Sequence, residues 1–292
     1  MNKTSQDNQS LIPILSSVSD LAAGTDAWLV DVWGVIHNGL RPYEAACAAC
    51  ETFRGRGGSV ILVSNAPRPW SGVKTQLDGL GVSPEVYDAI VTSGDVTRGL
   101  ISANSGRPIY HLGPQRDVPI FDGLDVDFSS AGEAEVVALT GLFDDEHETP
   151  ADYAKLLQAF KARDVPMICA NPDLQVEKGE RVIYCAGALA EAYAALGGSV
   201  VLAGKPYPPI YDMAFEKIAA LRGALPDKSR ILCIGDGINT DIKGAATMGL
   251  RSLFIPSRVN MSSSAGVRDA EIASAFADKD FRPLAAQIGL RW

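Results

Sequence analysis

The sequence lacks several features that mark common classes of protein. No uninterrupted apolar run in the 292 residues approaches the roughly 18 needed to span a membrane. Basic residues are also scarce, since 26 lysines and arginines face 35 aspartates and glutamates, for a net charge of −9. This balance excludes sequence-independent nucleic-acid binding, which needs a basic surface. We therefore expect no membrane and no nucleic-acid partner, and an anionic ligand would need a local positive site.

Cysteine is sparse and odd in number, with five residues. The segment Met1–Asp7 contains no apolar core suitable for a signal peptide, so we expect reduced thiols in a cytoplasmic protein. Cys47 and Cys50 form a lone Cys-x-x-Cys within the predicted helix 43–56. A zinc site would need a second pair of ligands nearby, and none is evident. The sequence therefore favours packing of both cysteines on an apolar helix face.

Apolar runs rich in β-branched residues alternate with segments of helical periodicity along most of the chain. The clearest strands are predicted at 27–33, 59–64, 108–112, 135–140, 165–169, 199–203, 230–234 and 251–255. Helices are predicted at 43–56, 71–80, 94–103, 151–163, 187–196, 208–222 and 240–248. Continuous apolar strands joined by helices are typical of parallel sheets covered on both faces, which predicts an α/β fold.

Carboxylates follow two of the predicted strands. Asp31 ends the run 27–30, and Asp236 lies in the glycine-flanked turn after 230–234. Mg²⁺ prefers oxygen ligands, and Asp31, Asp236 and the backbone carbonyl of Trp33 can supply three of them. Asp241 either supports this metal site or caps the helix that begins beside it. The sequence thus predicts a magnesium site made by Asp31, Trp33, Asp236 and Asp241.

One lysine lies in a turn that could meet these acids. Lys205, in Gly204-Lys205-Pro206, would supply the positive charge that the acidic chain otherwise lacks. The tripeptide is not part of a nucleotide P-loop, because Ser199 takes the first glycine position and Pro206 the Ser/Thr position. A dinucleotide or nucleotide loop is therefore not indicated.

Four fragments, taken in order, resemble the signature motifs of the haloacid dehalogenase-like superfamily. They are Asp31-Val32-Trp33-Gly34-Val35, Val63-Ser64-Asn65, Gly204-Lys205-Pro206 and Gly235-Asp236-Gly237-Ile238-Asn239-Thr240-Asp241. The resemblance covers nearly the whole chain. Within the superfamily the chain is most similar to subfamily IIA, which includes bacterial sugar-phosphate and nitrophenyl phosphatases. It implies a Rossmann-like core at 11–106 and 200–292, interrupted by an α/β cap of the C2 type at 107–199.

The resemblance also implies roles for individual residues. Asp31 would be the nucleophile that forms an aspartyl-phosphate, which divides one hard displacement into two easier ones. Ser64 and Asn65 would bind the transferring phosphoryl oxygens, and Lys205 would neutralise the nucleophile and the phosphoryl group together. Mg²⁺ is the implied cofactor. Caps of this class often join dimer interfaces, so the resemblance allows a homodimer.

Trp33 departs from the pattern of the phosphatase members, which carry an acid/base aspartate two residues after the nucleophile. General acid–base help is worth about 10²–10⁴-fold in rate, and indole has no proton that titrates near neutrality. Three alternatives follow: a slow phosphatase, a substitute acid/base, or changed chemistry. His37, six residues beyond Asp31, is the candidate substitute because of its pKa, although the sequence favours an ordinary solvent-facing or packing histidine over this role.

The substrate is least constrained by sequence. Asn171 and Asp173, after the strand 165–169, resemble cap residues that face the active site in relatives, although turn chemistry also explains them. Arg68 would reach a second anionic group or rim the site. The acidic segment 144–148 is expected to be a solvated loop and helix start.

The sequence as a whole predicts a Mg²⁺-dependent phosphohydrolase acting on a small phosphorylated metabolite, with sugar phosphates as one class. It would be slow or atypical because of Trp33. The alternatives are a non-catalytic protein that binds phosphometabolites, or a related hydrolase with non-phosphatase chemistry.

Overall fold

A computed structural model describes residues 12–178, 181–256 and 269–292. Parts of the predicted domain ranges, namely residues 11, 179, 180 and 257–268, lie outside the described residues. Among the described residues, no helix combines the length and apolar character needed to cross a membrane.

Strands and helices alternate as the sequence predicts over most of the chain, but the strands at 89–92, 175–178, 181–184 and 285–286 and the helices at 19–22 and 269–275 were not predicted. The strands are β1 (Ala27–Val30), β2 (Ser59–Ser64), β3 (Ala89–Thr92), β4 (Ile109–Leu112), β5 (Val136–Leu139), β6 (Met167–Cys169), β7 (Gln175–Lys178), β8 (Arg181–Tyr184), β9 (Val200–Leu202), β10 (Ile231–Gly235), β11 (Arg251–Phe254) and β12 (Ala285–Ala286). The helices are α1 (Ser19–Ala22), α2 (Glu44–Gly55), α3 (Trp70–Gly79), α4 (Ser93–Ser102), α5 (Ala154–Ala162), α6 (Ala186–Ala195), α7 (Pro208–Arg222), α8 (Lys243–Met248) and α9 (Asp269–Ala275). Short 3₁₀ segments at Pro84–Val86, Gln115–Phe121, Pro150–Tyr153 and Lys228–Arg230, and a π-helical turn at Ile238–Ile242, complete the described elements.

The core is a parallel sheet with strand order β12-β11-β10-β1-β2-β3. Successive side chains of a strand point to opposite faces. Accordingly Trp28 packs in one hydrophobic cluster with α2, and Leu29 packs in another with α7 on the opposite face. The chain order reverses between β1 and β10, and such a switch point opens a crevice at the carboxyl ends of the strands. The predicted α/β fold with both faces covered is confirmed.

A second parallel sheet, with strand order β4-β5-β6-β9, forms the cap. One face packs against α5 and α6 around Phe160 and Tyr193. The other face packs against Ile101 of α4, a helix that follows the core strand β3. A β7–β8 antiparallel hairpin stands apart from both sheets. The cap therefore packs directly on a core helix.

The second predicted domain boundary requires a correction. Sequence analysis ended the cap at residue 199, but β9 (Val200–Leu202) pairs with β6 and is part of the cap sheet. The cap therefore extends to Leu202, because the last apolar run of the middle section completes the cap sheet before the chain returns to the core.

The lone Cys-x-x-Cys lies on α2, as predicted. Cys50 is fully buried and Cys47 packs against the same hydrophobic cluster. Burial raises the pKa of the Cys47 thiol to about 11 and that of Cys50 further. Phe53, one turn further along, stacks on Trp28 with ring centroids 4.0 Å apart. Both thiols are thus protonated packing groups.

Candidate active site

The carboxyl ends of both parallel sheets line one cleft of about 810 Å³. The loop after β1 and the turn after β10 contribute from the core. Residues after β4, β5 and β6 contribute from the cap. Since reactive groups of parallel α/β folds cluster at strand carboxyl ends, this cleft is the candidate active site.

Lys205 lies at the centre of the core side of the cleft. Its ammonium donates hydrogen bonds to Asp31 Oδ1 at 2.6 Å, to Asp241 Oδ1 at 2.7 Å and to the Val63 carbonyl at 2.8 Å. The residue is 3% exposed. Burial opposes the charged form, but the carboxylates of Asp241 and Asp31 outweigh it and raise the Lys205 pKa. The structure therefore holds a permanent positive charge against Asp31.

The two carboxylates bound to this lysine lie close to a third carboxylate, that of Asp236. Asp31, Asp236 and Asp241, the acidic triad, each offer an oxygen, and these oxygens lie within 4.8 Å of one another. Burial raises the pKa of Asp31 well above its usual range; the Lys205 ammonium opposes the shift, and the other two carboxylates reinforce it. Three acids and one ammonium leave an excess of negative charge that a divalent cation would neutralise. Oxygen donors of this kind fit a hard cation such as Mg²⁺.

Glycines allow the acidic triad to converge. Gly34 has φ of +87°, and a Cβ there would lie 2.5 Å from Asp236 Oδ2. A Cβ on Gly235 would lie 2.1 Å from Cγ of Asp241. Any side chain at either position would displace a triad carboxylate, so these glycines are required by close approach.

Asp241 contacts both the turn before α8 and the other groups of the site, and its role in a metal site stays a prediction. Its Oδ2 accepts the Gly237 N–H at 3.0 Å, which secures the turn before α8, while Oδ1 binds Lys205. It also lies within the acidic triad. The Trp33 carbonyl as a metal ligand stays a prediction.

Ser64 and Asn65 end β2 at the floor of the cleft, and both are buried. The Ser64 hydroxyl oxygen accepts the Ala66 N–H at 3.1 Å, which leaves its O–H available as a donor. The Asn65 amide oxygen accepts the Lys205 N–H at 2.7 Å, and its NH₂ donates to Asp173 Oδ1 and to the Lys205 carbonyl. Asn65 is therefore engaged in joining the loops, and positions Lys205.

Asn171 and Asp173 bring the cap into contact with this arrangement. Asn171 Oδ1 accepts the Asp173 N–H at 3.0 Å, the Asx turn that the sequence allowed. The turn places the Asp173 carboxylate 3.0 Å from Asn65 Nδ2. Burial raises the pKa of Asp173 to about 6, although Lys205 opposes the shift. The loop thus faces the site and forms an Asx turn at the same time.

His37 is buried and shaped for packing. Its Nδ1 accepts the Gly39 N–H at 2.8 Å, and its ring lies edge-on to Trp33 with centroids 5.0 Å apart. Burial and the nearby Arg68 charge lower the His37 pKa to about 4. A Cβ on Gly39 would lie 2.7 Å from the Trp33 ring, so Trp33, His37 and Gly39 pack closely together. This geometry favours a structural role for His37 over the proposed acid/base role.

Arg68 meets a residue that sequence analysis missed. Its Nε lies 3.8 Å from Oδ1 of Asp117, a buried acid that follows β4, and its Nη2 donates to Gln76 at 2.7 Å. Asp145, expected in a solvated loop, is 13% exposed and ion-paired with Arg116 in the cleft. Asp117 lies five residues beyond the end of β4, so the rule that found Asp31, a polar residue directly after a parallel strand, does not single it out.

Comparison with known proteins agrees with this geometry. Sequence models described as haloacid dehalogenase-like hydrolase and HAD hydrolase-like match residues 28–127 and 202–278. A solved hydrolase of the haloacid dehalogenase-like family from Brucella suis is 46% identical and superposes with a TM-score of 0.86, covering 95% of this chain and 100% of that one.

More distant matches, one to a solved structure and one to a curated sequence, extend over similar lengths. A possible sugar phosphatase from Cytophaga hutchinsonii is 20% identical with a TM-score of 0.78, covering 95% of this chain and 98% of its own. The curated acid sugar phosphatase of Staphylococcus aureus is 24% identical over 273 residues, or 90% of this chain and 97% of that protein. The two matched sequence models and the 46% identity to the Brucella protein show that this chain belongs to the haloacid dehalogenase-like hydrolases.

Proposed function

We propose that this hydrolase is a divalent-metal-dependent phosphatase that acts on small phosphorylated metabolites, with sugar phosphates as the leading class. The observation that carries the proposal is the buried Lys205 ammonium between Asp31 and Asp241, beside Asp236. A fixed cation against a carboxylate nucleophile suits a reaction in which negative charge gathers on a phosphoryl group.

The chemistry has two steps. Asp31 attacks phosphorus, a new P–O bond forms, and the substrate's ester oxygen leaves with its electron pair. Water then attacks the aspartyl-phosphate at phosphorus, releasing inorganic phosphate and restoring Asp31. Lys205 stays hydrogen-bonded to Asp31 and adds its charge to the transferring group, and the Ser64 O–H is placed to donate to a phosphoryl oxygen.

Asp31, Asp236 and Asp241 would hold the metal, for which we propose Mg²⁺. When bound, it supplies charge neutralisation for the phosphoryl oxygens. Asn65 acts indirectly, because its amide bonds hold the Lys205 backbone in place.

Trp33 sets the expected rate. No titratable side chain stands at this position, and the neutral, buried His37 does not replace it. The departing alcohol oxygen and the attacking water must therefore exchange protons with cleft water. We expect slow turnover of sugar phosphates, whose alkoxides leave poorly, and faster turnover of p-nitrophenyl phosphate, whose leaving group needs little protonation.

The experiment is phosphate release from a panel of sugar and polyol phosphates and p-nitrophenyl phosphate, with Mg²⁺ and with a chelator. Asp31→Asn, purified in parallel, controls for contaminating phosphatases. We expect Mg²⁺-dependent release that falls about 10⁴-fold or more in Asp31→Asn. Equal release by the two proteins would overturn the proposal.

Trp33 favours one competing function, a protein that binds a phosphometabolite without turning it over. Calorimetry with the same panel separates the two functions. Tight, Mg²⁺-dependent binding together with no release above the Asp31→Asn control would establish the competitor.

A further inference from the structure

The cap end of the cleft contains a buried acid with an unused acceptor. Asp117 lies in the 3₁₀ segment after β4, is 2% exposed and lines the cleft. Its Oδ1 is buried and has no hydrogen-bond partner among the described residues. Buried polar atoms are normally paired, so an orphan beside a cleft indicates a partner that the ligand supplies.

Arg68 approaches this oxygen from the core. Its Nε is 3.8 Å from Asp117 Oδ1, too far for a hydrogen bond but close enough for strong charge attraction. Gln76 of α3 accepts a hydrogen bond from Arg68 Nη2, which fixes the guanidinium. The pair therefore offers an acceptor and a donor side by side, one from each sheet's edge.

The charge balance of the cleft decides which ligand suits this pair. The cationic side chains lining it, among the described residues, are Arg68, Arg116, Lys178, Lys205 and Lys243. All but the exposed Lys243 are ion-paired, with Asp117, Asp145, Glu146 and the Asp31–Asp241 pair respectively. A second phosphate or carboxylate would find no free cation at the cap end of the cleft.

We propose that Asp117 and Arg68 form a subsite for the hydroxyl groups of the leaving group, selecting neutral, polyhydroxylated phosphomonoesters over substrates with a second anion. Arg68, whose side chain is 26% exposed, can donate to a hydroxyl oxygen of the ligand, and rotation of the buried Asp117 carboxylate would bring Oδ1 to a neighbouring hydroxyl donor. The inference rests on the proposed function and narrows its substrate class. It replaces the sequence-based expectation that Arg68 reaches a second anionic group.

The burial of the Asp117 carboxylate also favours the binding of a hydrogen-bond donor. Burial raises the pKa of Asp117 to about 6, against the opposing charges of Arg116 and Arg68. At pH 8 the carboxylate is ionised and poorly solvated, so a hydroxyl donor from the ligand would relieve it.

The test compares fructose 6-phosphate, fructose 1,6-bisphosphate and p-nitrophenyl phosphate in the wild type and in Asp117→Asn at pH 8 with Mg²⁺. We expect kcat/KM for fructose 6-phosphate to fall about 10–100-fold, because a site built for hydroxyls loses its charged acceptor. The loss for p-nitrophenyl phosphate should be at least about tenfold smaller, since it presents no hydroxyl to the subsite.

The bisphosphate supplies a signature that damaged folding cannot mimic. Asp117→Asn frees the charge of Arg68, so the preference for bisphosphate over monophosphate should rise about tenfold or more. Glu191→Gln, which removes one negative charge from an exposed side chain of the same cleft, is the matched control and should not shift this preference. An equal shift in both variants would mean general electrostatics and would overturn the subsite.

Measuring ligand affinity tests the subsite independently of phosphatase activity. Calorimetry measures the affinity of Asp31→Asn and of Asp31→Asn/Asp117→Asn for the two fructose phosphates, so no hydrolysis is required. The inference holds if the added substitution weakens the binding of fructose 6-phosphate and strengthens the binding of the bisphosphate relative to it. This result would support the subsite even if the wild type releases no phosphate and the proposed function fails. Equal affinities of the two proteins for both ligands would overturn the proposed subsite.

Discussion

The parallel strands of the core and of the cap both end at the cleft, but the two sheet edges differ in topology. In the core, the order β12-β11-β10-β1-β2-β3 reverses between β10 and β1, and Asp31 and Asp236 follow the two strands at the reversal. In the cap, the order β4-β5-β6-β9 runs in one direction without a reversal. A crevice at strand ends opens where the order reverses, so only the core sheet can form a site by itself.

The charges at the two edges differ accordingly. The core edge brings one oxygen from each of three carboxylates within 4.8 Å of one another, and two of these carboxylates bind Lys205. At the cap edge two acids face cations, Asp145 with Arg116 and Asp117 with Arg68, whereas Asp173 is hydrogen-bonded to Asn65. An unbalanced cluster suits a metal and a phosphoryl group, whereas a balanced one suits polar recognition. The comparison assigns chemistry to the core edge and discrimination to the cap edge.

The substitution Lys205→Met tests most directly whether the core edge carries the chemistry. Removing the buried cation should lower kcat about 10²–10³-fold for every phosphomonoester alike, because its charge acts on the phosphoryl group. Steady-state kinetics would measure it, with Lys243→Met as the exposed-cation control. Losses that depend strongly on the leaving group would contradict a purely core-edge role.

Asp117→Asn tests the cap edge through stability. The folded-state pKa of Asp117 is raised from 3.8 to about 6, so the stability it contributes is present below about pH 4 and lost as pH rises through 6. The variant should be more stable than the wild type at pH 8 by about 2–3 kcal/mol, and nearly equal at pH 4. Urea unfolding at both pH values measures this. A variant less stable at pH 8 would show that the Arg68 pair outweighs burial.

Trp33→Asp tests whether the core edge lacks only a proton donor. An acid here should raise kcat for sugar phosphates about tenfold and leave p-nitrophenyl phosphate nearly unchanged, because only the alkoxide needs protonation. Trp33→Asn, of similar size but without a titrating proton, is the control. A gain in both variants would indicate relief of packing against Gly39, not proton transfer.

The smallest effect is expected at the contact between the edges. Asp173→Ala removes the hydrogen bond to Asn65 and should raise KM about three- to tenfold with kcat within about twofold. Asp173→Asn keeps an acceptor and should restore most of the affinity. If Asp173→Asn instead lowered kcat by about 100-fold and removed an acid limb from the pH profile, Asp173 would be the missing proton donor.

Most of the fold was predictable because the core strands are continuous apolar runs. The prediction of β2 at 59–64 and that of α7 at 208–222 match the structure. The hairpin β7–β8 was missed, because a two-stranded exposed element such as Arg181–Tyr184 carries no buried periodicity. The two-residue β12 offers too few residues for any pattern.

The site was predictable where a residue follows a strand directly. Asp31, Ser64, Asn65, Lys205 and Asp236 line the cleft as their motifs indicate. Asp117 was missed because its meaning depends on Arg68, nearly 50 residues earlier, and only the packing of cap on core brings the two together. The acid/base role of His37 stays a prediction; the type of a side chain does not reveal its burial, and burial here lowers the His37 pKa to about 4.

The chain leaves the cap through β9 and reaches Lys205 after only Ala203 and Gly204. A Cβ on Gly204 would lie 2.3 Å from Asn65 Oδ1 and 2.9 Å from the Pro172 ring, so this short link is tightly packed against both residues. The cap is an insertion in sequence, yet Lys205, whose ammonium contacts Asp31, follows closely after the last strand of the cap. Exchanging caps between relatives at this junction would therefore move the lysine, and a graft should retain β9 together with the residues that follow it.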